Sequence, residues 1–213
     1  MAGSGGSLVW RRPGATVGVV RIDHVIYGTS DLDRAAARVG VELGLSAIGG
    51  GRHDGLGTHN RIVPLGDGTF LELLAVVDPE EAAASPVGAA LLGAIAVGDG
   101  LLGWAVAVKD VRPVAARLGT SIDTVGRQGR AARLTGLAES LAEPWLPFFI
   151  ERSPRPRTPD ARDGTAAISW VEVAGDAGRL QRWLGATLLP VRVVDGEPSL
   201  RAVGVGDCVL RTR

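Results

Sequence analysis

The chain has 213 residues, 46% of them apolar and 22% charged, which is enough for one large core or two small ones and too apolar for a disordered polymer. Its 23 Lys plus Arg residues balance 23 Asp plus Glu, so no net field draws it to nucleic acid or to an anionic membrane, and a small molecule or another protein is the expected partner. A single cysteine, Cys208, excludes an intrachain disulfide framework and fits a cytoplasmic setting. No apolar run is long enough to span a bilayer, and Met1 to Gly18 lacks the apolar stretch of a secretory signal.

Residues 1–18, with Gly and Ser dominating Ala2 to Ser7, read as a flexible leader. Residues 19–78 read as a first unit. The β-branched run Val17 to Gly28 predicts a strand with Ile22, His24 and Ile26 on one face and Val25 and Tyr27 on the other. Ser30-Asp31 is an N-cap signal, and Leu32, Ala35, Ala36 and Val39 follow with helical spacing before Gly40 and Gly44. Gly49-Gly50-Gly51 reads as a turn leading to a strand over Thr58 to Leu65. Gly66-Asp67-Gly68 then reads as a hairpin signal before Thr69 to Val77.

The alanine-rich residues 79–100 predict a helical connector that covers an open sheet edge. Residues 101–152 repeat the first pattern. Leu102 to Val108 is a strand ending in Lys109-Asp110-Val111, Val114 to Leu118 is a short helix, and Arg130 to Leu134 and Leu146 to Glu151 are strands. Residues 153–164, rich in Pro and Arg, read as a linker, and residues 165–213 as a partial third copy. That copy holds a strand over Ile168 to Val173, a helix from Asp176 to Leu184, a hairpin around Asp195-Gly196, and a final run from Leu200 to Leu210. The expected fold is α+β: two βαβββ modules forming a cupped mixed β-sheet, with a C-terminal βαβ-like extension.

All three histidines, His24, His53 and His59, precede residue 60, and Glu72 interrupts the apolar run Phe70 to Leu74. Imidazole and carboxylate are common ligands for divalent metals, and a charge within an apolar strand needs a partner, which an arginine supplies as well as a metal does. Thr58 and Asn60 share one strand parity and are placed to bind an oxygen-rich substrate, with His53 as a proton donor or acceptor. His59 has the opposite parity. Trp104 and Trp145 read either as core residues or as walls of an apolar ligand pocket.

Ile22-Asp23-His24-Val25, the segment His53 to Asn60 and Phe70-Leu71-Glu72-Leu73 together resemble a glyoxalase-like domain of the vicinal oxygen chelate superfamily. The resemblance implies paired βαβββ modules around a divalent metal, with ligands from the first and last strands of each module. Substrates there chelate through adjacent oxygens, and the reactions include isomerisation, lyase-type addition and dioxygenation. Carried over, it implies His24, Glu72 and Glu151 as metal ligands, with Glu72 or His53 moving the proton. The fourth position falls near Gly103, so His53, His59 or water would complete the set. Three readings stand: a metal-dependent enzyme acting on a small oxygen-rich molecule, a metal-free binder of such a molecule, and an interaction protein with a degenerate site. The paired modules close within a monomer or across a homodimer.

Overall fold

The computed structural model describes residues 20–127, 130–152 and 166–212. The leader at 1–18 and the linker at 153–164 lie outside the described residues. The chain forms β1 (Arg21–Gly28), α1 (Leu32–Leu43), β2 (Ile48–His53), β3 (Thr58–Pro64), β4 (Phe70–Val76), α2 (Pro79–Ala83) and α3 (Pro86–Val97). It continues with β5 (Gly100–Ala107), α4 (Arg112–Leu118), β6 (Ile122–Arg127), β7 (Arg130–Thr135), α5 (Leu137–Ala142) and β8 (Phe148–Arg152). The last elements are β9 (Ile168–Ala174), α6 (Ala177–Leu184), β10 (Val191–Val194), β11 (Ser199–Val205) and β12 (Cys208–Arg211).

Eight strands make one curled mixed sheet in the order β2-β3-β4-β1-β5-β8-β7-β6. Within each half the first strand runs parallel to the last, β1 beside β4 and β5 beside β8, and the halves join through the antiparallel pair β1 and β5. Both halves are therefore βαβββ modules, the second carrying α5 between its last two strands. Asp31 caps α1 by accepting from Asp33 N and Arg34 N, and Gly44, with φ of 66°, ends it. Gly49-Gly50-Gly51 belongs to strand β2, not to a free turn. Glycine is required at Gly50, where a Cβ would lie 1.8 Å from the Asn60 carbonyl oxygen of the adjacent strand.

The two faces of this sheet are covered differently. One packs α1 and the C-terminal sheet into a single core containing Val25, Tyr27, Leu71, Leu73, Trp104, Phe149, Val171, Val173, Val203 and Leu210. The other, cupped face carries α3 and α5. Leu91 of α3 packs with Leu74 and Leu102, and Leu137 of α5 lies against the cluster of Ala105, Leu134, Phe148 and Ile150. Thus α3 covers part of the cup rather than a sheet edge, because its buried side chains meet the alternating apolar positions of β4 and β5.

The C-terminal strands are ordered β10-β9-β11-β12. Strands β9 and β10 are parallel and joined through α6, which is a βαβ unit. Asp195-Gly196 is not a hairpin, since β10 and β11 flank β9 on opposite sides; the tight hairpin lies at Gly206-Asp207, between Val205 and Cys208. Among the described residues no helix is long and apolar enough to cross a membrane.

Candidate functional site

Alternation places His24 and Ile26 of β1, Thr58 and Asn60 of β3, and Glu72 and Leu74 of β4 on the cupped face. Register then aligns them: His24 lies beside Phe70, Ile26 beside Glu72, and Asn60 beside Leu74. Ile22 departs from the simple pattern. The pairing of β1 with β5 slips between Ile22 and His24, so Asp23 is an extra, bulged residue; Ile22 joins the core with Val25 and Tyr27, and Asp23 comes to the side of His24.

Glu72 is the hub. Its Oε2 lies 3.7 Å from His24 Nε2, its Oε1 lies 3.6 Å from His53 Nε2, and Asn60 Nδ2 donates to Oε1 at 2.5 Å. Asn60 Nδ2 is also 3.2 Å from His53 Nε2, while Gly51 N donates to Asn60 Oδ1 at 3.0 Å. Thr58 Oγ1 bonds His53 Nδ1 at 2.9 Å. The side chain of Glu72 keeps 14% of its surface exposed and that of His24 keeps 5%. His24 stacks on Phe70 with ring centroids 4.6 Å apart and meets the edge of Phe148 at 5.5 Å.

On the far side of His24 lie two groups that strand alternation within the first module does not bring to the site. Asp23 Oδ1 is 2.8 Å from His24 Nδ1, and Arg152 grips Asp23 through Nη2 at 2.7 Å and Nε at 2.9 Å. Burial pushes the Asp23 carboxyl upward, but the hydrogen bonds and charges of His24 and Arg152 outweigh it and hold the group well below the usual carboxylate range. The signal for Arg152 is its position: it shares the parity of Phe148 and Ile150 on β8.

Glu151 is on the opposite parity and does not join the cluster. Its carboxylate accepts from Val111 N at 3.1 Å and from Arg133 Nη1 at 3.2 Å, where it takes up a backbone donor at the start of α4. Trp104 and Trp145 are likewise turned into the core behind the sheet, with Trp104 Nε1 donating to the Trp145 carbonyl at 3.1 Å; they pack rather than wall the cup. The reason is local: Gly103 and Ala105 occupy the cup parity of β5, leaving the intervening tryptophan for the core. His59 lines a groove of about 570 Å³ with Asp31 to Asp33, Gly49 to Gly51 and Asn60, to which neither His24 nor Glu72 contributes.

The donor set does not fit a metal. Among the described residues no three His, Cys, Asp or Glu are disposed to hold an ion. The second module offers Gly103, Ala105, Phe148 and Ile150 on its cup-facing strands. In the first, His24 and His53 face Glu72 at 3.7 and 3.6 Å, but the Asn60 amide nitrogen, 2.5 Å from Glu72 Oε1 and 3.2 Å from His53 Nε2, presents a hydrogen-bond donor there, which cannot ligate a cation. The cluster is instead arranged to bind polar oxygens and to hold or move a proton at Glu72.

This fold and these motifs define a glyoxalase-like protein of the vicinal oxygen chelate superfamily. The model of the glyoxalase-like domain family matches residues 22–189, most of the chain, and the chain belongs to that family. A comparison with curated proteins finds no match. Among solved structures, a hypothetical protein from Staphylococcus aureus shares 18% identity at a TM-score of 0.64, over 85% of this chain and 88% of that one. Methylmalonyl-CoA epimerase from Mycobacterium tuberculosis shares 20% identity at a TM-score of 0.49, over 68% of this chain and 95% of its own. A variant of the Streptomyces coelicolor methylmalonyl-CoA epimerase, in complex with 2-nitronate-propionyl-CoA, shares 22% identity at 0.49, over 64% and 100%.

Proposed function

We propose that this chain binds a small oxygen-rich molecule beside Glu72 and that Glu72 moves a proton on it, an isomerase or lyase type of step. The observation that carries this reading is the convergence of His24, His53 and Asn60 on one partly desolvated carboxylate. The amide of Asn60 donates to Oε1 and fixes the orientation of this carboxylate. Thr58 and Asn60, on one face of β3, are assigned as the oxygen-binding groups, and His53, bonded to both, as the second proton carrier. No step is assigned to a metal, because the donor set does not fit one.

The setting we infer is the cytoplasm, on the single exposed Cys208, with a monomer or homodimer as the working unit and a small molecule as the partner. The test is solvent exchange. Small ketones and keto acids with adjacent oxygens are incubated with the protein in heavy water, and exchange at the carbon beside the carbonyl is followed by NMR. Exchange that disappears in Glu72→Gln supports the reading; no exchange with any compound of this class overturns it. A second reading, a binder without chemistry, is favoured by the seating of Leu91 of α3 on the cup. It predicts that such compounds raise the melting temperature of Glu72→Gln as much as that of the wild type, with no exchange in either.

A further inference from the structure

The second module places no imidazole or carboxylate beside Glu72, yet Arg152, its last strand residue, reaches across to Asp23 in the first module. We infer that Asp23 and Arg152 form a positioning pair, in which Asp23 fixes the ring of His24 with Nε2 toward Glu72 and Arg152 holds Asp23 in place. The inference rests on the reading of Glu72 as the proton-moving group, but its structural part stands apart from it.

Donors and acceptors around the ring decide which nitrogen bears hydrogen. A carboxylate held ionised by a guanidinium and an imidazole only accepts hydrogen bonds. The 2.8 Å contact between Asp23 Oδ1 and His24 Nδ1 therefore requires the hydrogen on Nδ1. Arg152 Nη2 is 3.4 Å from the same nitrogen, a much longer contact than the 2.8 Å of Asp23, and a guanidinium carries no acceptor; one Nη2 hydrogen goes to Asp23 Oδ1 at 2.7 Å. With Nδ1 so committed, the other nitrogen is the one that meets Glu72 Oε2. The ring cannot turn over freely, because Phe70 lies parallel to it and the edge contact with Phe148 closes a second side. Asp23, Arg152, Glu72, Phe70 and Phe148 thus face His24 from β1, β8 and β4, and each either fixes the plane of the ring or selects which nitrogen points where.

The bulge at Asp23 makes this arrangement possible. In a regular strand, adjacent residues point to opposite faces, and Asp23 would be buried in the core behind the sheet. The extra residue turns the carboxylate to the cup, within reach of a strand contributed by the other module. Arg152 keeps 28% of its side chain exposed while Asp23 keeps 2%, so the arginine also closes that end of the site against water. Its guanidinium lies 5.2 Å from the centre of the Phe70 ring, which ties it to the aromatic that His24 stacks on.

The test uses the full chain labelled with 15N-histidine, whose three imidazoles are assigned by replacing His53 and His59 in turn. Long-range proton-nitrogen correlation spectra without ligand report which ring nitrogen of His24 bears hydrogen. A hydrogen on Nδ1 in the wild type, lost from most of the population in Asp23→Asn, is the expected result. A wild-type His24 with a bare Nδ1, or an Asp23→Asn spectrum unchanged from wild type, overturns the inference. Should Asp23→Asn fail to fold, Arg152→Lys is the second variant, expected to yield a mixture of the two tautomers; an unchanged spectrum there removes Arg152 from the pair. In the exchange assay Asp23→Asn is expected to lower kcat by about tenfold to a hundredfold with KM little changed. Exchange that is absent while Nδ1 bears its hydrogen defeats the proton-transfer reading alone. Exchange that persists with a bare Nδ1 defeats the positioning pair alone.

Discussion

Replacing Leu91 by alanine tests whether α3 is seated on the cupped face. Leu91 is fully buried, packs with Leu74 and Leu102, and lies where a Cβ on Gly28 would come within 3.1 Å of its Cδ1. Leu91→Ala removes three buried carbons, which at about 0.8 kcal/mol each forfeits about 2–2.5 kcal/mol of transfer free energy. A cavity term adds to this. It stays small because the outer side of α3 is open to solvent and the helix can settle toward the sheet, so the total is about 2.5–3.5 kcal/mol, inside the usual range for such a truncation. For a chain of this size that corresponds to a fall in Tm of roughly 5–12 °C. Urea unfolding followed by circular dichroism measures it, and the midpoint should fall with an unchanged m value, since the surface exposed on unfolding is nearly the same. A loss below about 1 kcal/mol would refute the packing of α3 into the cup and reopen that part of the face as ligand space.

Glu151→Ala should cost about 0.5–2 kcal/mol, because it removes the acceptor for Val111 N at the start of α4, and should leave ligand response unchanged; a specific loss of ligand response would return Glu151 to the site. Gly50→Ala should displace β2, since no rotamer relieves a Cβ at 1.8 Å from backbone, and should weaken the bond from Asn60 to Glu72; a crystal structure with both strands unmoved would contradict this. The depressed Asp23 carboxyl makes stability depend on acid. The folded form stays ionised at pH values where the unfolded form, with its ordinary value of 3.8, binds a proton, so stabilisation is full above that value and is lost as pH falls below it. Urea titrations from near neutral into acid should show a steeper loss for the wild type than for Asp23→Asn, and equal slopes would remove Asp23 from the account. Arg152→Met should cost about 3–5 kcal/mol near neutral pH, because it leaves the buried Asp23 charge without its guanidinium, and chemical denaturation measures the loss.

Much of the site is legible in the chain because β-strand parity is a local property. His24, Asn60, Thr58 and Glu72 each sit where alternation along one strand puts them, and His53 enters through pairing with Thr58. The residues that escape such reading depend on irregularity or on the other module. Asp23 occupies a core-facing position by simple alternation until the bulge turns it, and the same bulge moves Ile22 away from His24. Glu151 stands out as a carboxylate closing an apolar strand, but a shift of one residue exchanges faces, and Arg152 is the neighbour that reaches the cup. Trp104 is ambiguous because burial does not say which side of a sheet is filled; the small residues on either side of it are the clue. The order of the C-terminal strands is hidden by Asp195-Gly196, a turn signal that marks a change of direction without saying whether the flanking strands pair.

The shared interior behind the eight-stranded sheet has a consequence for how this chain can be cut. Val171, Val173, Val203 and Leu210 from the C-terminal strands fill the same core as Val25, Trp104 and Phe149 from the paired modules. A fragment ending after β8 would bare that greasy reverse side to water, and it should self-associate or precipitate even though every residue of the His24 and Glu72 cluster is present in it. The tail thus acts as the keel of the molecule, ballast behind a working face built on the opposite side of the sheet.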